Sequence, residues 1–231
     1  PECGAGSYFG RYMIPGPDEE GFDAALAEKA RRFERQFHSF NAMPMAVNTT
    51  TTVPGDKKQH RELIEKFITE YDGWDFEKFS GGLTAYDVIG GWHKVAGLYA
   101  GAGIAADAFR YDVLKRQGAD CDEIGRARQF LLDGLDAMHI AFTIGGKPGV
   151  VARGFIRRNL PGYAGRIETV PLFDENGNPL PEVKDNGTWR EDASGEYPGY
   201  IWEDSISRDM MLGWAMASAV AAEIIEGDDA I

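Results

Sequence analysis

The chain has 231 residues, and its 24 Lys and Arg against 37 Asp and Glu give a formal charge of −13 at pH 7. With 43% hydrophobic and 26% charged residues, it has the composition of a globular protein, unlike a disordered or collagen-like chain. The acidic balance leaves no basic stripe to neutralise phosphates, which argues against a nucleic-acid binder. The most apolar stretches are too short or too interrupted for the roughly 20 residues of a membrane-spanning helix.

The cysteines and the chain ends bear on localisation. Cys3 and Cys121 are the two cysteines, so a disulfide framework and a cysteine zinc site are excluded, while one long-range bridge stays open. Residue 1 is Pro1, so either the chain was trimmed or an N-terminal segment was removed in maturation, as in export. We expect a secreted or periplasmic protein, and the apolar helix just before the last residues indicates a piece of a larger one.

The first part of the chain is predicted to hold an arm and two helices. Residues 1–20 are rich in Gly and Pro, a composition that breaks regular structure, and form the arm. Apolar residues from Phe22 to Phe40 recur at three- and four-residue steps and predict an amphipathic helix over 22–40. The same spacing returns after a loop rich in Pro and Thr and predicts a second helix over 57–71.

A long third helix is predicted over 84–116. Thr84 and Asp87 have the spacing of a capping box, in which a side-chain oxygen satisfies an orphan amide and an acid follows three residues on. Three glycines repeat along one face of this helix: Gly90, Gly97 and Gly101. Because these positions lack side chains, we expect another helix to approach that face closely.

Two more helices and a small ribbon are predicted in the rest of the chain. A second capping box, Asp120–Glu123, begins a helix over 121–143. Weak alternation and the hairpin-type Asn-Gly pair within Asp174–Asn178 predict a β-ribbon over 165–185. The last helix, over 206–226, is apolar almost all round, which predicts an inner helix surrounded by protein.

These elements predict a mainly α fold of helical hairpins with a small β-ribbon, in a single domain over residues 1–231. The chain lacks the alternating strand and helix units that build a parallel sheet, so a parallel-sheet fold is excluded.

Several familiar motifs fit the sequence poorly. Gly101–Ala106 resembles the glycine fingerprint of a dinucleotide fold, but its glycines lie inside a predicted helix and do not follow a strand. Asp174–Asn178 is rich in oxygen ligands, yet Pro179 stands where a calcium loop needs Gly and Asp185 where it needs Glu, so we expect a polar turn. The four histidines lack the spacing of helical metal ligands: His38, His60, His93 and His139. We therefore expect neither a metal nor an organic cofactor.

Residues 190–209 concentrate the side chains of a ligand site in a loop that leads into the last helix. The aromatic residues are Tyr197, Tyr200 and Trp202, the carboxylates are Glu196, Glu203, Asp204 and Asp209, and the cation is Arg208. Helix N-terminal amides bind oxygen-bearing ligands, rings pack on the apolar faces of sugars, and carboxylates accept hydroxyl hydrogen bonds or act as acid and base. A structural alternative stays open, in which Asp204 and Asp209 only cap the helix.

Several segments resemble the loops and inner-helix starts of (α/α) toroid proteins, the six-hairpin glycosidase-like and polysaccharide lyase-like type. They are Arg126–Leu135, Gly149–Gly154 and Trp202–Asp209 with Gly213. The resemblance covers residues 84–226 and implies helical hairpins around a cleft that binds a polysaccharide or oligosaccharide. The chain has fewer helices than a complete ring, which implies half a ring, a reduced variant or a fragment.

Two functional hypotheses remain. The first is a carbohydrate-active enzyme, a glycoside hydrolase or polysaccharide lyase, with Asp204 and Asp209 as catalytic carboxylates in a loop at an inner-helix N-terminus. A hydrolase needs two carboxylates about 5–10 Å apart, whereas a lyase needs a base and cations for the substrate carboxylate. Six residues are predicted to position the ligand: Trp92, His93, Arg153, Tyr200, Trp202 and Arg208. We expect Arg153 to lie near the 200–209 loop around one cleft.

The second hypothesis is a non-catalytic extracellular module that builds an assembly with another chain or binds a surface. Convergence of the acids and aromatic residues in one concave pocket would favour the enzyme over the module.

Overall fold

The computed structural model describes residues 15–162, 166–181 and 187–225. Seven α-helices lie in these ranges: Ala24–Gln36 (α1), Lys58–Glu70 (α2), Phe76–Ser80 (α3), Ala85–Val88 (α4), Gly97–Gln117 (α5), Cys121–Thr143 (α6) and Arg208–Ile225 (α7). A π-helical turn, Phe37–Asn41, continues α1. The predicted mainly α class is confirmed, and most of the predicted arm, residues 1–14, lies outside the described residues.

Four of the five predicted helices are confirmed as α1 with its π-helical turn, α2, α6 and α7. The second capping site is also confirmed at the start of α6, where the Asp120 carboxylate accepts hydrogen bonds from the amides of Asp122 and Glu123 at 3.0 and 3.1 Å. Cys121, the first residue of this helix, is disulfide-bonded, and Cys3 lies outside the described residues.

The single helix predicted over 84–116 is wrong. The capping box of Thr84 and Asp87 is present, but the helix that it begins, α4, ends at Val88. The chain then forms a strand, Gly91–Ala96, before α5 begins. Tertiary contacts override the helical spacing here, because the amide of Trp92 donates to the Pro161 carbonyl at 2.9 Å.

The strands form one antiparallel sheet of five, in the order β1-β2-β3-β5-β4. Their bounds are Thr49–Thr52 (β1), Gly91–Ala96 (β2), Gly154–Arg157 (β3), Trp189–Glu191 (β4) and Tyr200–Glu203 (β5). The exclusion of a parallel sheet therefore holds for the described residues. In register, Gly154 of β3 is opposite Glu203 of β5, and Ala96 of β2 is opposite Gly154.

The β-ribbon predicted over 165–185 is wrong for the residues that the structure describes. The described residues form no strand there: an isolated bridge joins Phe173 to Pro179, and the amides of Asp174 and Leu180 donate to the carbonyls of Asn178 and Leu172. Residues 182–186 lie outside the described ranges. Between the bridged residues the chain makes the expected polar turn, in which the Asp174 carboxylate accepts from the amides of Asn176 and Asn178, both at 2.8 Å. The segment satisfies its polar groups locally, so the turn forms without flanking strands.

Helices α5 and α7 pack at very close range, as the glycine spacing predicted. A Cβ atom on Gly101 would overlap the backbone of Gly213, and one on Gly97 would overlap the indole of Trp214. The absent side chains therefore let the two backbones touch. Gly90 takes no part, because it lies before β2 and faces Pro54.

The prediction that the last helix is surrounded by protein is wrong for the described residues. Only one face of α7 is buried, whereas Leu212 on this helix is 67% exposed. The buried residues are Gly213, Trp214, Ala217 and Ala221. Of the described helices, none is long and apolar enough to cross a bilayer.

Candidate functional site

Backbone pairing brings the end of β5, the start of β3 and the start of α5 to one place, just before α7. The amide of Arg153 donates to the Glu203 carbonyl at 2.8 Å, and the amide of Gly97 donates to the Arg153 carbonyl at 3.2 Å. These bonds fix Arg153 beside the residues that lead into α7.

Three charged residues meet here, Lys94, Arg153 and Glu203. Together with Asp209, on which the positive charge of Arg153 also acts, they are called the charged cluster. The Glu203 carboxylate is paired with the Lys94 ammonium and lies 3.7 Å from Nε of Arg153. The side chain of Glu203 is only 10% exposed, whereas those of Lys94 and Arg153 are 26% and 20% exposed. The two cations therefore hold the buried carboxylate and still reach the surface.

Arg153 also contacts the 200–209 loop directly, as expected. Its guanidinium donates through Nη1 to the Ser205 carbonyl at 3.3 Å. Ser205 adopts a left-handed backbone conformation with φ of 57°, which is uncommon for a residue with a side chain and is found at turns and functional loops. The turn at Ser205 separates the sheet from α7.

Asp209 lies exposed in the first turn of α7. The nearby Ser207 hydroxyl lowers the pKa of its carboxyl, with smaller contributions from the first amides of the helix and from the positive charge of Arg153. Asp209 is therefore a carboxylate at neutral pH and belongs electrostatically to the same cluster as Arg153. Arg208, next to it, is also exposed.

Asp204 is placed differently from Asp209. One of its oxygens accepts from the Thr188 amide and the other from Nε of Arg190, both at 2.6 Å. Both side chains are buried, and that of Arg190 is 1% exposed. Both oxygens are engaged by residues outside α7, so Asp204 does not make the helix cap of the structural alternative, and its contacts instead hold the loop to β4.

The three aromatic residues that were predicted to position the ligand do not share one surface. Trp92 and Trp202 are 0% exposed, and their indole N–H groups donate to the carbonyls of Phe40 and Glu191, each at 2.9 Å. Their predicted contact with a ligand does not fit this placement, since neither ring presents a face to solvent. Tyr200 is half-buried, with its ring 6.1 Å from that of Tyr197.

His93 lies exposed on β2, with Nε2 3.5 Å from the Thr52 hydroxyl. In the described ranges, no group of three or more His, Cys, Asp or Glu side chains is arranged to hold a metal ion.

The sequence analysis did not predict Lys94 as a site residue, and it named Glu203 among the carboxylates of the loop without giving it a role in the site. Lys94 falls within the helix wrongly predicted over 84–116, where its neighbours would be residues three or four positions away. Its actual partner, Glu203, is more than 100 residues distant along the chain. The one available signal was the strand-like composition of Trp92–Val95, which is rich in aromatic and β-branched residues.

Comparisons with known proteins give no relative: no family model matches the chain, and no curated protein or solved structure is significantly similar to it.

Proposed function

We propose that the chain binds and cleaves an acidic polysaccharide at the charged cluster, in the manner of a polysaccharide lyase. The observation that supports this most is the contact of Arg153 with Glu203 and Ser205 at the N-terminal end of α7. Segments of the loop also carry the resemblance to (α/α) toroid proteins, which stays a prediction.

The local charge favours an anionic ligand. The cluster itself balances two cations, Lys94 and Arg153, against two carboxylates, and the exposed Arg208 next to Asp209 adds one positive charge, although the chain as a whole carries −13. The first amides of an 18-residue helix add partial positive charge at the same end. A uronate carboxylate would be attracted here, whereas a neutral sugar would gain nothing from the excess positive charge.

The carboxylates favour elimination over hydrolysis. Hydrolysis needs two carboxyl groups facing one glycosidic bond. Asp204 is engaged with Arg190, and Glu203 is paired with Lys94 and Arg153, which leaves Asp209 as the exposed carboxylate. In this proposal Asp209 accepts hydrogen bonds from sugar hydroxyls, and Arg153 neutralises the substrate carboxylate.

The proposed step is a β-elimination. A base removes the proton from the carbon next to the uronate carboxylate, and the released electron pair forms a carbon–carbon double bond. The glycosidic C–O bond breaks, and the departing sugar oxygen takes a proton. Two side chains of the predicted site are chemically able to act as the base, His93, which lies beside Thr52 of β1, and Tyr200, which is opposite Arg157 at the start of β5.

The proposal is tested with the whole chain on a panel of polyuronates and neutral polysaccharides. Ultraviolet absorbance of an unsaturated uronate reports elimination, and new reducing ends without that absorbance report hydrolysis. We expect Arg153→Gln to weaken polyuronate binding by about 10-fold or more, because a charge-assisted contact is lost. The matched control is Arg116→Gln, which removes an exposed arginine paired with Asp112 on α5 and should change nothing.

Variants His93→Gln and Tyr200→Phe identify the base. Loss of turnover with unchanged binding, with the acidic limb of the pH profile absent from the residual activity, marks the residue that takes the proton. If the folded protein binds and cleaves no member of the panel, the proposal is wrong.

A second candidate function, the assembly module, is favoured by a separate observation. Leu212 and Met216 on α7 are 67% and 47% exposed, and Tyr99 on α5 is 61% exposed. Exposed apolar side chains in such number on adjacent helices are typical of interaction surfaces. Concentration-dependent association in sedimentation velocity, abolished by Leu212→Glu, would support this candidate.

A further inference from the structure

A cleft of about 490 Å³ lies between α1, its π-helical turn and α5, on other residues than the charged cluster. Phe33, Phe37 and Ala106 contribute apolar wall, and Glu34, His38 and Asp107 contribute polar groups. Its volume is in the range of sites for small organic molecules, which are mostly apolar with a few polar groups.

Asp107 is the most buried carboxylate of the cleft. It lies within α5, is 8% exposed, and receives a hydrogen bond on Oδ1 from Nε2 of His38 at 3.0 Å. In the part of the chain that the structure describes, His38 is its one hydrogen-bond donor. Asp107 lines the cleft, so a cation or a second donor that enters the cleft would add to the one bond from His38 and stabilise the carboxylate.

The His38 ring is held in place by its surroundings. It stacks on Phe130 with a centroid separation of 3.5 Å and an interplanar angle of 3°, and it meets Phe37 edge-on at 4.9 Å. These two ring contacts fix the orientation of the imidazole, which keeps its Nε2 on the Asp107 carboxylate.

The remaining charges of the cleft nearly balance. Glu34 lies 3.3 Å from Nε of Arg110, whose Nη2 is 2.5 Å from Glu123. Burial raises the pKa of Glu34, against the opposing effect of the positive charge of Arg110. Arg126, whose guanidinium lies over the ring of Trp74 at 4.6 Å, also opposes this increase, since its positive charge lowers the pKa of Glu34.

Three carboxylates, Glu34, Asp107 and Glu123, thus stand against two guanidinium groups, those of Arg110 and Arg126. The carboxylates therefore outnumber the guanidinium groups by one, and Asp107, which has no guanidinium partner among the described residues, lines the cleft with two phenylalanine rings.

We propose that this cleft binds a small organic monocation, an amine with an aromatic or alkyl body. Its ammonium group donates to the second oxygen of Asp107, and its apolar body packs on Phe37 and the exposed ring of Phe33. Charge complementarity selects the cation, and the rings add a cation–π contribution. The inference is independent of the polysaccharide proposal, since it uses different residues and a different ligand.

The test uses benzylammonium as the probe, with benzyl alcohol as its neutral analogue of nearly the same shape. We expect isothermal titration calorimetry on the whole chain to give a dissociation constant for benzylammonium below about 1 mM. Benzyl alcohol should bind at least about 10-fold more weakly, because it lacks the charge that pairs with Asp107. Equal affinity for the two compounds, or no binding of benzylammonium up to about 10 mM, overturns the proposal.

Two pairs of variants locate the probe. Asp107→Asn keeps an acceptor for His38 and should weaken benzylammonium binding by about 10- to 100-fold, while Asp112→Asn on the same helix should not change it. Ala106→Leu fills the cleft and should abolish binding, while Ala102→Leu, also exposed on α5 but outside the cleft lining, should retain it. Unchanged affinity in both Asp107→Asn and Ala106→Leu, with melting temperatures near that of the parent, also overturns the proposal.

Discussion

Arg190 and Asp204 form a buried ion pair that ties β4 to the residue following β5. The guanidinium donates from Nε to one carboxylate oxygen at 2.6 Å, and its Nη2 lies 2.6 Å from the same oxygen. The other oxygen accepts from the Thr188 amide. The pair sets the start of the turn that carries the chain into α7, so the geometry of the charged cluster depends on it.

Asp204→Asn should therefore act on stability. Removing one partner of a buried ion pair leaves the other charge uncompensated and typically costs about 3–5 kcal/mol. We expect urea denaturation to show a loss of this size in the free energy of unfolding. Asp209→Asn is the matched variant, since Asp209 is exposed, and it should leave stability nearly unchanged. An Asp204→Asn protein of parental stability that has lost polyuronate turnover would instead restore the catalytic role for Asp204.

Replacing glycine by alanine should have opposite effects on stability at Gly101, where α5 touches α7, and at Gly125, where α6 has no close neighbour. Gly101→Ala places a Cβ atom into the backbone of Gly213 and should destabilise by about 1–3 kcal/mol, because the helices must move apart. Gly125→Ala in α6 meets nothing within 4 Å and should stabilise by up to about 1 kcal/mol, because alanine favours the helix. Thermal denaturation measures both; similar melting temperatures for the two variants would contradict the tight packing.

Burial of Glu34 predicts a pH-dependent difference in stability. Its pKa is raised in the folded chain, so the native state binds more protons than the unfolded state between the unfolded and folded pKa values. Stability from this group is complete below the unfolded pKa and is lost as pH rises through the folded pKa. Glu34→Gln should thus be more stable than the parent at pH 7, with the advantage shrinking toward acid pH.

Urea denaturation at several pH values checks this, with the exposed Glu65→Gln as the control. An advantage of Glu34→Gln that grows as the pH falls would refute the assignment.

Trp202 should prove to be a core residue. Trp202→Phe removes a buried hydrogen bond to the Glu191 carbonyl and some buried volume, and should cost about 1–3 kcal/mol. Polyuronate binding, measured at a temperature where the variant is folded, should be unchanged. Weaker binding with unchanged stability would instead indicate that the ring contacts the ligand.

The sequence by itself determined the elements whose signals are local. Helices α1 and α2 lie close to where apolar spacing places them, and α6 begins at its predicted capping residue, because these signals act within one or two turns of the chain. The glycines of α5 predicted a close helix neighbour correctly, since the absence of a side chain is itself a packing property. The polar turn at Asp174 formed as expected for the same local reason.

The tertiary structure decided everything that depends on distant partners. β2 forms because Trp92 finds the carbonyls of Pro161 and Phe40, and no periodicity within 84–116 carries that information. The same strand delivers Lys94 to Glu203, 109 residues away. Asp204 and Asp209 look equivalent in sequence. Only the tertiary structure buries Asp204 beside Arg190 and leaves Asp209 exposed, because a charge can be removed from water when a partner charge offsets the cost.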